Sequence, residues 1–381
     1  MSMPKLKKKN KPISHYLVTS SKKIHGWFNW GRRQCTQERF LLNPYNGCSC
    51  GCFYCYTRAL PGYFQEFHRK GAVFVFKDFP ELVEKQINDL QIGFCGYLSP
   101  VTEPFQEIDK YYGYSEQLVE SFVRKNLPIE FITKERVPDK IIDLISLQPH
   151  SFGQVSLVTL KPELSRFISG QASPQVLLDN FERMKRQNVY SVCRIDPILP
   201  FINDNLDDLK KILTEVRERG VNHIIASVLD IPPKIKGFII AKIKRLFGEK
   251  IAKQYIGLYT EKIGYLNAGI DYRKRIFSFL RREVDRLGMT FALCMEYENK
   301  NGQIAGLNRE FSSSVNCEGM DTPIYIRRGE KFYPQAGCNG NCLKCCEPVC
   351  GIEELAYGKT CKPLALKYSD YRRFSKIFRE G

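Results

Sequence analysis

NPYNGCSCGCFYCYTR, residues 43–58, carries Cys48, Cys52 and Cys55 in the spacing C-x-x-x-C-x-x-C on a loop that contains glycine. Iron–sulfur clusters are held by cysteine thiolates, commonly four, so three thiolates leave one iron open to a group that is not protein. A structural zinc site usually has C-x-x-C pairs separated by a longer spacer, and this triplet lacks that form. Cys50, inside the loop, is the alternative fourth ligand, but we expect it to be a bystander.

The same loop, with an aromatic residue just before its last cysteine, resembles the radical S-adenosylmethionine superfamily. The surrounding N-P-Y-x-G-C…G-C-x-Y-C-Y-x-R resembles the spore photoproduct lyase branch of it more closely. The resemblance implies that Cys48, Cys52 and Cys55 hold a [4Fe-4S] cluster whose open iron binds S-adenosylmethionine. It further implies reductive cleavage of that cofactor to a 5′-deoxyadenosyl radical, with electrons from a donor such as flavodoxin or ferredoxin.

Short apolar runs alternate with longer amphipathic segments from about residue 38 onward. The strand-like runs are 39–43, 93–98, 129–134, 154–160, 191–196 and 223–229. The helix-like segments include 81–90, 115–125, 173–187 and 206–219. Strands that alternate with helices of this length predict a parallel sheet built of right-handed β-α-β units.

The resemblance implies an α/β fold, a partial (β/α)6 TIM-like barrel, and six strand-like runs match that number. A further apolar run at 291–296 follows a helix-like segment at 272–287 and is a candidate edge strand. Sites in such barrels lie at the C-terminal ends of the strands. The cysteine loop follows the first strand-like run, so we expect it at that end of the barrel.

Polar residues at the ends of the other strands are candidates for contact with the cofactor. The resemblance assigns this role to Thr102, Glu103, Lys134, Ser156, Thr159, Arg194 and Asp196. Lys134 is a charge at the end of an apolar run, and the cofactor carboxylate is a sensible partner for it. Arg194 and Asp196 point the same way on one strand, so a purely structural ion pair is the alternative.

One departure from the resemblance concerns the return of a hydrogen atom to the product. In the photoproduct lyase a cysteine just before the matching threonine has this task, and Val101 occupies that position here. Cys95 falls in the middle of a predicted strand and is expected in the core. Repair by the lyase's own route is therefore not expected. Tyr54 and Tyr56 are the candidate catalytic relays, with simple packing as the alternative.

The composition changes after about residue 299, where NKNGQ reads as a linker. Seven cysteines follow, namely Cys317, Cys338, Cys342, Cys345, Cys346 and Cys350, with Cys361 beyond. This density predicts a small Cys-rich metal-binding C-terminal domain. Its first six cysteines are the candidate ligands of an auxiliary iron–sulfur cluster, with zinc as the second choice. The predicted organisation is a basic arm at 1–30, the barrel at 31–299 and the Cys-rich domain at 300–381.

The chain carries a formal net charge of +17, which favours a polyanionic partner. Basic segments at 1–30, 232–253 and 272–286 are candidates for contact with phosphates, and solvated outer surfaces are the alternative. Together with the resemblance, the charge favours a radical enzyme that modifies or repairs nucleic acid. The competing hypotheses are a radical enzyme acting on a peptide or protein, and a non-catalytic iron–sulfur protein that binds nucleic acid.

Several features indicate a cytoplasmic protein without a membrane partner. No apolar run reaches the ~18 residues that span a bilayer, and MSMPKLKKKNKP lacks the apolar segment of a secretory signal. The fifteen cysteines cluster at spacings typical of metal ligands, which favours a reducing compartment over a disulfide framework.

Overall fold

A computed structural model describes residues 14–19, 24, 38–170, 172–360 and 366–378. Its strands are β1 (His15–Val18), β2 (Arg39–Leu42), β3 (Tyr45–Asn46), β4 (Val73–Phe76), β5 (Ile92–Gly93), β6 (Cys95–Leu98), β7 (Ile129–Thr133), β8 (Phe152–Ser156), β9 (Tyr190–Ile198), β10 (His223–Val228), β11 (Glu261–Ile263), β12 (Tyr265–Asn267), β13 (Thr290–Leu293), β14 (Tyr297–Lys300), β15 (Gln303–Gly306), β16 (Tyr325–Arg328) and β17 (Lys331–Pro334).

The α-helices of the described residues are α1 (Tyr63–Lys70), α2 (Phe79–Asn88), α3 (Asp109–Tyr112), α4 (Tyr114–Arg124), α5 (Asp139–Ser146), α6 (Pro162–Ile168), α7 (Pro174–Arg186), α8 (Leu206–Glu218), α9 (Lys236–Phe247), α10 (Glu249–Leu258), α11 (Ile270–Arg286), α12 (Asn308–Phe311), α13 (Tyr357–Thr360) and α14 (Tyr368–Ile377). Short 3-10 helices lie at Tyr56–Ala59, Pro233–Ile235 and Glu353–Leu355.

Seven strands form one parallel sheet in the order β13-β10-β9-β8-β7-β6-β2. This arrangement confirms the predicted α/β class and the partial barrel. The candidate edge strand is β13. The Asn205 side chain caps α8 by accepting a hydrogen bond from Asp208 N at 3.0 Å.

The two faces of the sheet differ in chemistry. Cys193 and Ile195 of β9 belong to the large apolar core packed beneath the helices. The opposite face carries a small separate cluster made of Cys95, Phe152, Val192 and Ile225. Because strand residues alternate between faces, Arg194 and Asp196 follow Val192 on this inner side. The inside of the barrel therefore becomes polar toward the C-terminal ends of its strands.

Three details differ from the sequence predictions. The run at 93–98 is two strands, because β5 leaves the main sheet to pair with β16, while β6 stays in it. NKNGQ is not a linker but the turn that joins β14 and β15 into a hairpin. Within the predicted arm, β1 pairs in parallel with β4, whereas 1–13, 20–23 and 25–37 lie outside the described residues.

The chain after β15 covers the N-terminal ends of the barrel strands. His223 and Tyr190, the first residues of β10 and β9, bond the carbonyl oxygens of Cys317 and Gly319, each at 3.0 Å. Tyr371 of α14 packs edge-on against Phe40 of β2, with ring centroids 4.9 Å apart. The basic and aromatic last helix therefore packs on the barrel.

No α-helix of the described residues combines the length and the apolar character that crossing a membrane requires.

Candidate active site

The cysteine loop leaves the C-terminal end of β2, at the open mouth of the barrel. The buried Gln106 side chain holds it by donating to Gly47 O at 3.1 Å and accepting from Ser49 N at 3.3 Å. Gly47 has φ +107, and a Cβ there would lie 2.5 Å from the Phe67 ring. The Gly170 amide donates to the Cys50 carbonyl at 2.5 Å. Glycine and one amide side chain thus fix the path of the loop.

The three predicted cluster thiols lie close enough to interact electrostatically with one another. Burial raises the pKa of Cys52 to about 12, although Lys134 opposes the shift. Burial also raises the pKa of Cys55, while a hydrogen bond with the Cys50 thiol lowers the pKa of Cys48. Cys50 itself is buried beside Cys48.

These residues fit a [4Fe-4S] cluster with S-adenosylmethionine. Buried thiolates that repel one another need a cationic group, and bound metal supplies it. The hydroxyls of Ser99 and Thr102, beyond the end of β6, are buried without a hydrogen-bond partner among the described residues. No three His, Cys, Asp or Glu side chains of those residues form a group for a single metal ion. In an iron–sulfur cluster, by contrast, the cysteine thiolates bind different irons.

Glu103 joins the ends of two strands at this site. Its carboxylate accepts hydrogen bonds from the Thr133 hydroxyl at 2.6 Å, from Lys134 N at 2.7 Å and from Phe105 N at 3.0 Å. Burial raises its pKa to about 8, and the nearby Cys48 thiol adds to that effect. The geometry makes Glu103 a clamp between β6 and β7, and its contact with the cofactor stays a prediction.

Lys134 follows β7 and is half-buried. Its positive charge acts on the Cys48, Cys52 and Asp196 side chains, so the ammonium lies among them. Within the described part of the chain, no hydrogen bond or ion pair occupies that ammonium. An unpaired cation beside two predicted cluster ligands is suited to a carboxylate of a bound ligand.

Arg194 and Asp196 form the ion pair that their spacing allows. The guanidinium donates to Asp196 Oδ2 at 2.5 Å and to Gln154 Oε1 at 3.0 Å. Ser227 of β10 donates to Asp196 Oδ1 at 2.5 Å. Burial opposes the ionisation of Asp196, yet Arg194 and Ser227 hold its pKa below the ordinary value. The pair therefore presents an oriented carboxylate near Lys134.

The two remaining predicted cofactor contacts lie on or just after β8. Ser156 is the last residue of that strand and is buried beside Arg194 in the sheet register. The Thr159 hydroxyl accepts a hydrogen bond from Lys161 N at 3.1 Å, which forms a turn before α6. Their contact with the cofactor stays a prediction.

Both predicted tyrosine relays border the thiols. Tyr54 is buried beside Cys52, and burial raises its pKa. Tyr56 is 37% exposed and faces Cys55, Asp196 and Cys294. Cys294, which follows β13, thus brings one more thiol to the mouth of the barrel, and no motif singles it out in the sequence.

The cysteines near the C-terminus surround a second cavity of about 280 Å³. The cavity is lined by Cys338, Cys342, Cys345, Cys346 and Cys350. Cys317 is not in its lining, and its carbonyl contacts His223 instead. Cys361 lies outside the described residues. This cavity sits at the N-terminal ends of the strands, opposite the cysteine loop.

Sequence reasoning missed several residues that shape the active site. Gln106, Thr133, Gln154 and Ser227 each bond a predicted site residue or the cysteine loop, yet none of them was assigned a role from the sequence. Thr57 lies within the family-like stretch, and its hydroxyl lies 3.0 Å from both Cys55 Sγ and His68 Nε2. Thr57 and Thr133 both lie within family-like stretches of the sequence, and that position was the signal that could have identified them.

Comparison with known proteins places the chain near enzymes of one superfamily. No protein-family model matches it. A radical SAM Nalpha-GlyT isomerase of Pseudomonas phage M6 is 28% identical over 386 aligned residues, which cover 95% of this chain and 78% of the relative. An uncharacterized protein of Mycobacterium tuberculosis is 22% identical over 236 residues, which cover 58% of this chain and 67% of that protein.

Solved structures share the fold. A spore photoproduct lyase variant has a TM-score of 0.57 at 13% identity, covering 73% of this chain and 82% of that one. Another variant, with bound AdoMet and dinucleoside spore photoproduct, has a TM-score of 0.53 and covers 67% and 75%. The fold of the lyase, the cysteine loop at the mouth of the barrel and the match over nearly the whole chain agree. In sequence and in fold, the chain is therefore similar to radical S-adenosylmethionine enzymes.

Proposed function

We propose that this radical enzyme modifies or repairs nucleic acid. Cys48, Cys52 and Cys55 would hold the [4Fe-4S] cluster, and Lys134 would bind the carboxylate of S-adenosylmethionine. When bound, cluster and cofactor supply a 5′-deoxyadenosyl radical that takes a hydrogen atom from the substrate. The side chains of the barrel bind and orient these groups and exclude water.

Two sets of side chains have distinct tasks in this proposal. The Asp196 carboxylate, held by Arg194, accepts hydrogen bonds from polar groups of the cofactor. Tyr54 and Tyr56 lie beside the Cys52 and Cys55 thiols, where they are candidates to relay a hydrogen atom.

The observation that carries the nucleic-acid proposal is a basic surface on α9 and α10, beside the cysteine loop. The Arg58 guanidinium, just after Cys55, lies 4.5 Å from the centroid of Phe238 on α9. The segment from the preceding 3-10 helix through α10 carries seven basic residues and one acid, Glu249. Those basic residues are Lys234, Lys236, Lys242, Lys244, Arg245, Lys250 and Lys253.

The basic surface on α9 and α10 differs from the other basic helix, α11, in how many of its charges are paired. Among the described residues, Lys244 alone of the seven has an ion-pair partner, Glu249, at 2.5 Å. On α11, by contrast, most of the basic side chains are paired with carboxylates. The pairs include Arg273 with Glu261 and Glu296, Arg281 with Asp285, and Arg286 with Glu283. Unpaired cations next to an active site favour phosphate contact there rather than on α11.

The relatives support two candidate substrates. The lyase with a bound dinucleoside photoproduct shares the fold, which supports a nucleic-acid substrate. The phage relative is named an Nalpha-GlyT isomerase, and the Gly in that name supports the second candidate, a substrate that carries a peptide or an amino acid.

We also infer that the second cysteine cavity holds metal, an auxiliary iron–sulfur cluster or else zinc. Strand residues advance about 3.3 Å each, so the four residues of β2 alone separate the two ends of the barrel by ~13 Å. That separation supports a structural role for this metal, which would hold the C-terminal cysteines together. A reducing cytoplasm and an electron donor such as flavodoxin or ferredoxin complete the proposal.

Anaerobic reconstitution tests the proposed function. Iron per chain and 5′-deoxyadenosine would be measured after addition of dithionite and S-adenosylmethionine, with DNA, RNA or peptide mixtures as added substrates. We expect nucleic acid to increase 5′-deoxyadenosine formation and to yield a nucleoside of altered mass after digestion. Stimulation by peptides alone would favour the second candidate, and no cofactor cleavage under any condition would overturn the proposal.

A further inference from the structure

A continuous chain of hydrogen bonds runs through the inside of the barrel. Arg39 Nε donates to Glu130 Oε1 at 2.5 Å, and Gln154 Nε2 donates to Glu130 Oε2 at 2.6 Å. Arg194 then donates to Gln154 Oε1 at 3.0 Å and to Asp196 Oδ2 at 2.5 Å. Every link joins charged or amide side chains on the inner face of the sheet.

At its lower end, this chain of hydrogen bonds reaches the C-terminal segment. The guanidinium of Arg39, at the start of β2, is paired with the Glu318 carboxylate. Glu318 lies between Cys317 and Gly319, whose carbonyl oxygens bond the first residues of β10 and β9. Met320 packs against the inner cluster of the barrel. The loop that carries Glu318 is thus docked on the N-terminal ends of several strands.

The upper end is Asp196 at the mouth. Its side chain is 25% exposed, whereas those of Arg39, Glu130 and Arg194 are 9% exposed or less. Asp196 is therefore the member of the chain that a bound cofactor can reach. Whatever fixes the Arg194 guanidinium also fixes the direction of this carboxylate.

The Gln154 amide fixes which groups donate and which accept along the chain of hydrogen bonds. Its amide oxygen accepts from Arg194 while its amide nitrogen donates to Glu130. Reversing the amide would turn two donors toward each other at Arg194 and two acceptors toward each other at Glu130. A change in how Glu130 is paired, such as loss of the charge that holds Arg39, is therefore transmitted to Arg194.

We propose that Glu318 is a positioning residue for the active site. By holding Arg39 it sets the orientation of Glu130 and Gln154, and through them that of Arg194 and the Asp196 carboxylate beside Lys134. Removing one charge from a buried hydrogen-bonded network changes how the remaining groups are paired, so the effect reaches beyond the first contact. This inference rests on the proposed function, because it assumes that Asp196 contacts the cofactor.

The test compares Glu318→Gln with Glu353→Gln, which removes a carboxylate from an exposed ion pair with Lys359 in the same segment. Binding of S-adenosylhomocysteine, a non-cleavable probe, would be measured by calorimetry on anaerobically reconstituted protein. Iron content and melting temperature would be recorded alongside. We expect Glu318→Gln to weaken binding about tenfold, in the range for coupled network residues, with iron content kept, and Glu353→Gln to leave binding unchanged.

A double-mutant cycle separates positioning from general destabilisation. Asp196→Asn alone should weaken binding, and the double variant with Glu318→Gln should be no weaker than Asp196→Asn. Gln154→Met interrupts the chain at its middle and should reproduce the tenfold loss if Glu318→Gln does not fold. Unchanged binding in a folded Glu318→Gln or Gln154→Met protein, or effects that multiply in the double variant, would overturn the inference alone. A wild-type protein that neither binds the probe nor cleaves S-adenosylmethionine would overturn the proposed function and this inference with it.

Discussion

Arg58 lies over the ring of Phe238, 4.5 Å from its centroid. This contact joins the 3-10 helix that follows the cysteine loop to α9. Lys242 lies over the same ring, 5.4 Å from its centroid. The cysteine loop and the basic helices α9 and α10 therefore form one continuous surface, on which bound phosphates would lie beside the mouth of the barrel.

Replacing charges on this surface should weaken binding to nucleic acid. Because each phosphate contact adds about 0.9 to the salt slope on B-DNA, Lys234→Gln/Lys242→Gln/Lys250→Gln should reduce that slope by up to about 2.7. The matched control is Arg281→Gln/Arg282→Gln/Arg286→Gln, which removes three charges that carboxylates already pair on α11. Titration of a labelled duplex over a range of salt concentrations measures both variants. Equal losses in the two triple variants would contradict a specific role for α9 and α10.

Removing one predicted cluster ligand should abolish the radical chemistry. We expect Cys55→Ala to lose about four irons per chain and all 5′-deoxyadenosine formation, because the cluster has no spare thiolate. Cys50→Ala is the control, since Cys50 is buried in the same loop but is predicted to be a bystander. Iron analysis and chromatography of 5′-deoxyadenosine provide the measurements. Loss of the cluster in Cys50→Ala as well would make Cys50 a ligand.

A comparison of Gly340 with Gly351, both in the C-terminal segment, separates the cost of steric crowding from the cost of backbone strain. Gly340 has φ +75, and a Cβ there would lie 1.9 Å from Thr322 O, whereas Gly351 has φ +73 and no atom within 4 Å of that position. We expect Gly351→Ala to lower the free energy of unfolding by about 1–2 kcal/mol, the left-handed penalty. Gly340→Ala should lower it by more than about 3 kcal/mol, because it also displaces the backbone. Urea unfolding measures both, and equal losses would show that the close approach is relieved without cost.

Glu296 should make stability depend on pH. Burial raises its pKa to about 7 from the ordinary 4.5, although Arg273 opposes the shift. Between these two values the folded state holds more protons than the unfolded chain, so this contribution to stability falls as pH rises. Relative to wild type, Glu296→Gln should therefore gain stability from about pH 5 to pH 7, with a limiting slope of ~1.4 kcal/mol per pH unit.

Urea unfolding at several pH values checks this expectation. Glu107→Gln, at an exposed carboxylate, is the control. A difference between Glu296→Gln and wild type that does not vary with pH would contradict it.

The parts of the fold that the sequence predicted are those encoded locally. The helix-like segment at 206–219, which forms α8, and the alternation of strands with helices depend on neighbours within a few residues. The same holds for the three cysteines of the loop. Local signals therefore sufficed for the class of fold and for the position of the cysteine loop after β2.

The missed features join residues far apart in the chain. Gln106 bonds Gly47 across 59 positions, and Arg39 pairs with Glu130 across 91. The pairing of β5 with β16 likewise split a run that reads as one strand. No local sequence pattern identifies such partners, because their contacts form only in the folded chain.

The ion pair between Arg39 and Glu318 also has a consequence for synthesis of the protein. The two residues lie 279 positions apart, and Arg39 belongs to the first strand of the sheet. At about 5–20 residues per second, a ribosome needs roughly 15–55 s between them. During that time the guanidinium at the base of the nascent barrel lacks its second carboxylate. A chain released before Glu318 is made would leave this guanidinium with Glu130 alone and would lack the segment that covers the N-terminal ends of the strands, so truncated products should be poorly soluble and quickly degraded.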